Sequence, residues 1–310
     1  MTNQQFIPRQ SEHQLEEFIT HSPVVLIHGP RQCGKTTLAR LIGDRHGYTY
    51  YTFDNSQTLL AAKRDPTGFV TMLPRQVILD EIQLVPELFR LIKLSIDVQR
   101  NNGQYILTGS TNVLYLPELM DALTGRMLIL RLHPLSQLEI EQKQDVSFLD
   151  KLFSKSFSIG HSQPLGNNLV ERIIIGGYPP ALAMTVDSIR SAWYNSYVIS
   201  LLQNDVYEQK KIHFVESLPQ LLTAVATLSG QLLNVSALSK KLQMNRNTIL
   251  QYLSLLERQF LIERVPAWHT NRMKRLIKTP KIHVGDSGLA CSLLGIDAHD
   301  LKNDPNLLGI

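Results

Sequence analysis

The chain has 310 residues, 43% of them hydrophobic, with 31 basic against 27 acidic side chains and a net charge of +4. That length suggests two or three domains with cores of their own, and so mild an excess of charge does not by itself argue for nucleic acid. The two cysteines, Cys33 and Cys291, have no paired spacing, which leaves no disulfide scaffold or zinc pattern and fits a reducing cytoplasm.

Met1 to Gln10 is polar and predicts no secretory signal. The apolar run 24–28 reads as a buried strand. It leads into Gly29-Pro30-Arg31-Gln32-Cys33-Gly34-Lys35-Thr36, the phosphate-binding pattern G-x-x-x-x-G-K-T. Residues 37–42 then repeat apolar side chains at helical spacing, so the motif has the strand–loop–helix context that it requires. The glycines let successive N–H groups point inward at phosphate oxygens, and the helix opening at Gly34 adds its positive end. Lys35 is expected to reach the β- and γ-phosphates of ATP and Thr36 to ligate Mg²⁺. Residues 29–36 with Thr37 form the predicted nucleotide cradle. Cys33, among these amides, is expected to carry a stabilised thiolate.

Residues 48–53 alternate aromatics and read as a second strand. Val77-Ile78-Leu79-Asp80-Glu81 is an apolar strand ending in two carboxylates. Asp80 is expected to support the metal, and Glu81 to polarise the attacking water. A helix follows from about 87 to 99. A strand then ends at Thr108-Gly109-Ser110, where a hydroxyl can sense the γ-phosphate. Residues 127–130 give a last strand. Strands alternating with helices predict a parallel α/β sheet with its ligand at the carboxyl ends of the strands.

The order GPRQCGKTTL, VILDEIQLVPELF, YILTGSTNVL, LTGR, HPLSQLE and GGYPPAL resembles the AAA-type ATPases of bacteria and archaea that carry a C-terminal domain of unknown function. The resemblance covers nearly the whole chain and links it to the AAA+ and STAND switch ATPases. It implies an AAA-like core, a small helical lid, a winged helix and a nuclease-like region. It also places the sensor at Ser110, and it matches Arg126 to a Gly-Arg position from which an arginine finger can act on a neighbour's γ-phosphate. Asp205 aligns with a family acid. The resemblance divides the chain into a P-loop core (1–160), a helical lid (161–226), a winged helix (227–290) and the start of a truncated C-terminal region (291–310). No nuclease function is therefore expected.

In the second half, a helix at 169–175 is broken by Gly176-Gly177-Tyr178-Pro179-Pro180, and residues 189–207 have helical apolar spacing. Residues 217–239 lack charge but carry Pro219, Gln220 and Asn234, too polar a set for a membrane span. A helix at 235–242, a turn at Gln243-Met244 and a second helix with Ile249, Leu253, Leu256 and Phe260 on one face form the helix-turn-helix. Asn245, Arg246, Asn247, Thr248 and Gln251 stand on its other face, and the wing starts near 261–265. Between 266 and 285 there is no acid, while Arg272, Lys274, Arg275, Lys278 and Lys281 crowd together. Arg246, Asn247, Gln251, Arg272, Lys274 and Arg275 are the expected contacts to duplex DNA. The sequence thus predicts a cytoplasmic, Mg²⁺-dependent ATPase coupled to a DNA-binding winged helix, with self-association as a further expectation. The rival reading is a STAND-like nucleotide switch that works through protein contacts with little hydrolysis.

Overall fold

The computed structural model describes residues 6–110, 117–143, 152–154, 165–209, 217–271, 273, 275, 278–304 and 307; the side chains of 117, 118, 120 and 204–209 lie outside the description. The chain forms two compact units, Met1–Gln144 and Asp145–Ile310.

The first unit is built on five parallel strands: β1 (Val24–His28), β2 (Thr49–Thr52), β3 (Val77–Asp80), β4 (Tyr105–Gly109) and β5 (Met127–Arg131), in the order β2-β3-β4-β1-β5. β1 is buried throughout, as its unbroken apolar run requires between two helical layers. Alternate residues serve opposite faces. Val24 and Leu26 join Val77, Leu79 and Leu107 in one core, while Val25 and Ile27 join Ile78, Ile106 and Leu130 in the other. Helices α1 (Ser11–His21) and α2 (Lys35–His46) cover the second face with Leu15, Ile19, Leu38 and Ile42. The first face is covered by α3 (Ser56–Arg64), α5 (Leu88–Val98) and α6 (Pro117–Leu123), through Ala62, Phe89, Ile92 and Leu123. The short α4 (Pro66–Met72) follows α3, and Asp65 caps it by accepting the Gly68 N–H at 2.8 Å. After β5 comes α7 (Gln137–Ile140), closed by a capping box between Ser136 and Glu139.

The second unit contains α8 (Asn167–Ile175), α9 (Pro179–Leu182), α10 (Asp187–Gln209), α11 (Ser217–Ala226), α12 (Val235–Leu242) and α13 (Arg246–Arg258). An antiparallel pair, β6 (Ile262–Val265) and β7 (Lys281–Val284), follows, then α14 (Ser287–Leu294) and α15 (Ala298–Asn303). Its core runs from Tyr178, Tyr194 and Leu201 through Leu221 and Leu222 to Ile249, Leu253, Leu256, Ile262 and Ile282, so α10 and α11 share one interior with α12 and α13. The uncharged segment that opens at 217 is a helix whose Leu218, Leu221, Leu222 and Val225 are buried. Among the described residues, no helix is long and apolar enough to cross a membrane.

The Gly176-Gly177-Tyr178 break has a structural cause. A Cβ on Gly176 would lie 2.2 Å from Asp286 Oδ1, and φ there is 71°, a combination only glycine accepts. Asp286 accepts from the Gly177 N–H at 2.6 Å, the Tyr194 hydroxyl at 2.9 Å and the Leu289 N–H at 3.0 Å. One buried carboxylate thereby ties α8, α10 and α14 together. Burial pushes its pKa up against these donors.

Candidate nucleotide site

The loop between β1 and α2 is shaped by two glycines and one glutamine. Gly29 passes so close to the chain leaving β5 that a Cβ would sit 2.0 Å from the Leu132 carbonyl oxygen. Gln32 (φ 61°) and Gly34 (φ 103°) are left-handed, which curls the backbone and starts α2 at Lys35. Lys35 is buried, and its ammonium donates to the carbonyls of Gly29 at 3.0 Å and Pro30 at 2.7 Å. The lysine therefore folds back over the loop that it follows, within reach of whatever the loop encloses.

Beneath the loop lies a buried ion pair between Arg9 and Glu139, the last residue of the HPLSQLE motif. Arg9 donates from Nη1 to the Cys33 carbonyl at 2.7 Å, from Nη2 to the His133 carbonyl at 2.6 Å, and from Nε to Glu139 Oε1 at 3.0 Å. Glu139 also accepts the N–H groups of Gln10 and Ser136, each at 2.8 Å. Burial pushes the Glu139 pKa up, but the Ser136 N–H, the Arg9 charge and the Gln10 N–H outweigh it and hold the carboxyl below its ordinary value.

β3 delivers the acidic pair to the same edge of the sheet. Asp80 ends the strand, buried, and gathers three hydroxyls. Thr36 donates to Oδ1 at 2.8 Å, Tyr50 to Oδ2 at 2.7 Å, and Thr108 makes a short bond to Oδ1. Burial, the Asp80 bond and the Asp80 charge push the Tyr50 pKa up to about 12, so its hydroxyl stays protonated and donating at neutral pH. Glu81 lies just beyond the strand in the left-handed region (φ 57°, ψ 46°) and caps the 3₁₀ turn Ile82–Leu84. That reversal separates its direction from that of Asp80. Its Oε2 accepts from the Ser110 hydroxyl at 2.8 Å and, in a short contact, from the Gln83 amide. A threonine hydroxyl and an aspartate carboxylate side by side are hard oxygen donors that suit Mg²⁺, and the cradle of N–H groups suits phosphate.

Residues 21–141 match the family described as AAA domain, and residues 166–300 match a domain of unknown function (DUF8612). The AAA-domain match covers most of the N-terminal unit. Uncharacterized proteins of Mycobacterium tuberculosis and Mycobacterium bovis are each 26% identical over 302 residues, covering 96% of this chain and 62% of their own length. A Haemophilus influenzae protein, also uncharacterized, is 26% identical over 70% of this chain and 52% of its own. The chain thus spans less than two thirds of these relatives. Among solved structures, the Walker-type ATPase of Pyrococcus abyssi aligns at a TM-score of 0.53 with 16% identity, over 94% of this chain and 97% of that one. At that identity the likeness is one of fold, and the fold is that of a P-loop ATPase.

In the N-terminal unit, the thiolate expected at Cys33 is overturned. The side chain is fully buried, and its thiol points to the Leu132 carbonyl oxygen at 3.5 Å. Burial raises its pKa against the pull of Lys35 and Arg9, so the loop keeps a packed thiol under its backbone. His28, at the end of β1, is driven down to about 4 by burial and by the charges of Lys35 and Arg131, and it stays neutral beside the lysine.

Arg126 stands immediately before β5, whose first residue Met127 pairs with Val24 at the start of β1. The loop leaves from the other end of β1, about 16 Å along the strands at ~3.3 Å per residue. Arg126 therefore does not serve its own domain's loop; instead it makes a two-bond contact with Asp97 of α5, at 2.8 Å and 3.2 Å.

In the second unit, Asn245 caps α13 by accepting the Asn247 N–H at 2.8 Å, and Arg246, Asn247 and Gln251 are exposed. Arg275 stacks its guanidinium 5.6 Å from the centre of the Trp268 ring. Arg272, Lys274 and the side chain of Asp205 lie outside the described residues.

Proposed function

We propose that the protein is a Mg²⁺-dependent ATPase, converting ATP to ADP and phosphate, and that its second unit carries a winged helix that binds duplex DNA. One observation carries the hydrolytic half: the three hydroxyls of Thr36, Thr108 and Tyr50 fix Asp80 while Glu81, one residue on, is turned toward Ser110. Adjacent carboxylates in different settings can take different roles. Thr36 and Asp80 would hold the metal, which neutralises phosphate charge when bound. Lys35 would exchange its two loop carbonyls for β- and γ-phosphate oxygens. Glu81 would take the proton of the attacking water as general base.

If Arg126 acts as a finger, the nucleotide would be a neighbouring subunit's, and the arginine's Asp97 pair is a half-exposed one. Such pairs are worth about 0–1 kcal/mol, so releasing the arginine costs little. The DNA half is supported by α12, the turn at left-handed Gln243, and α13 with its exposed polar N-terminal end, followed by the β6–β7 hairpin. This is the order of a helix-turn-helix with a wing. Steady-state ATP turnover against protein concentration, with and without duplex DNA, tests both halves. Tight ATP binding without turnover would replace the first half with the nucleotide-switch reading.

A further inference from the structure

We propose that Gln83 is a positioning residue for hydrolysis, one that ties the Glu81 carboxylate to the hydroxyl of Ser110. This rests on Glu81 acting as the base, as proposed above. Gln83 stands in the 3₁₀ turn that Glu81 opens, and the left-handed backbone at Glu81 folds the glutamine back onto its neighbour. Its amide nitrogen has two protons. One goes to Glu81 Oε2 and the other to Ser110 Oγ at 3.2 Å. The single proton of Ser110 also goes to Glu81 Oε2, at 2.8 Å. The three groups thus form a closed ring in which every available proton is used.

A hydroxyl proton can be given only once. Ser110 follows directly on β4, which lies beside the loop strand β1, where a γ-phosphate oxygen would compete with Glu81 for it. When the phosphate takes that proton, the ring loses one side. The Gln83 amide still bridges Ser110 Oγ and Glu81 Oε2, because neither of its own bonds needs the serine's hydrogen. Gln83 is then the link that carries the position of Ser110 to the carboxylate. Its other amide atom, Oε1, is buried and receives no donor among the described residues. An unmet buried acceptor is costly and is found where a side chain is held for another purpose.

Gln83→Met keeps the length of the side chain and removes both donors. We expect kcat to fall by about tenfold to a hundredfold, at or below the lower end of what a general base contributes, because the base is displaced rather than removed. KM for ATP and the Kd of a fluorescent ATP analogue should stay within about twofold, since the contacts of Lys35 and the loop are untouched. In a Glu81→Gln background the same substitution should alter the residual rate by less than about twofold, because the group through which it acts is gone. In the nucleotide-free protein, the Tm losses of Gln83→Met and Glu81→Ala should combine to less than their sum.

An unchanged kcat in Gln83→Met overturns the proposal, as does an equal loss in both backgrounds. If Gln83→Met does not fold, Gln83→Asn, whose amide is one methylene short of the carboxylate, should show the same split of kcat from KM; wild-type kcat there overturns the proposal equally. Wild-type protein that binds ATP without turnover overturns the hydrolytic reading and this inference together. Wild-type turnover with an indifferent Gln83 overturns this inference alone.

Discussion

Lys35 and Glu81 answer to different measurements because they act at different stages. Lys35 is the buried cation of the loop, held by two carbonyls that a phosphate can replace. Lys35→Ala should abolish binding of a fluorescent ATP analogue, and an unchanged affinity would remove the basis of the nucleotide site. Glu81→Gln keeps the size and the Ser110 contact but cannot take a proton. It should bind normally and lose turnover by roughly a hundredfold or more. Cys33 is a third case. Its burial and raised pKa leave almost no thiolate at neutral pH, so iodoacetamide should leave the native apo protein unmodified at this position. Peptide mapping reads the outcome directly, and rapid alkylation blocked by ATP would show a loop that opens far more than the packing here allows.

At the scale of elements, the loop is anchored by a pair that reaches across the domain. Arg9 precedes α1 and Glu139 belongs to α7, and both are buried. Removing one partner of a buried pair leaves the other charge uncompensated, at about 3–5 kcal/mol. Arg9→Met should therefore lower Tm sharply, while the double variant Arg9→Met with Glu139→Gln should recover part of the loss. The pH dependence follows from the lowered pKa of Glu139. Folding holds the carboxylate charged, so this contribution is present above the unfolded value of about 4.3 and is lost as pH falls through the folded one. The Tm difference between wild type and Glu139→Gln should shrink in acid. This element scale also marks the limit of what the sequence could show. The loop and the Asp80-Glu81 strand are contiguous motifs, and their spacing leads to the strand and helix observed. Arg9 and Glu139 stand 130 residues apart; Glu139 closes the HPLSQLE motif but Arg9 belongs to none, so only the fold shows them to be partners. Gln83 looks like an ordinary turn residue until the left-handed backbone at Glu81 sends it back. Helix α1, the α3–α4 pair and strand β7 are short or weakly patterned in the sequence, and packing decides them. At Cys33 the sequence shows the loop's glycine pattern but not the burial of the thiol, and the burial decides its state.

At the scale of the whole molecule, each unit carries residues that can meet a neighbour. Arg126 stands at the edge of the sheet opposite the loop, so a role in turnover requires a second subunit. If it acts that way, Arg126→Ala should cost on the order of a thousandfold in turnover with binding intact. Mixing Arg126→Ala with Glu81→Gln subunits should then restore activity in the sites that combine a sound base with a sound arginine. A normal rate in Arg126→Ala would leave the residue as the structural partner of Asp97. The second unit offers Arg246, Asn247 and Gln251 exposed at the start of α13, and Arg275 stacked on Trp268. If Arg246, Arg272, Lys274 and Arg275 neutralise phosphates, the affinity for duplex should fall steeply with salt, with a log–log slope of about −0.9 for each contact. Lys274→Ala with Arg275→Ala should weaken binding to all sequences alike and flatten the slope by about two units. Asn247→Ala or Gln251→Ala should instead shift sequence preference, because these side chains stand on the helix that would enter the major groove. Duplex binding that is weak at low salt and indifferent to all four substitutions would assign this face to a protein partner and leave the ATPase reading untouched.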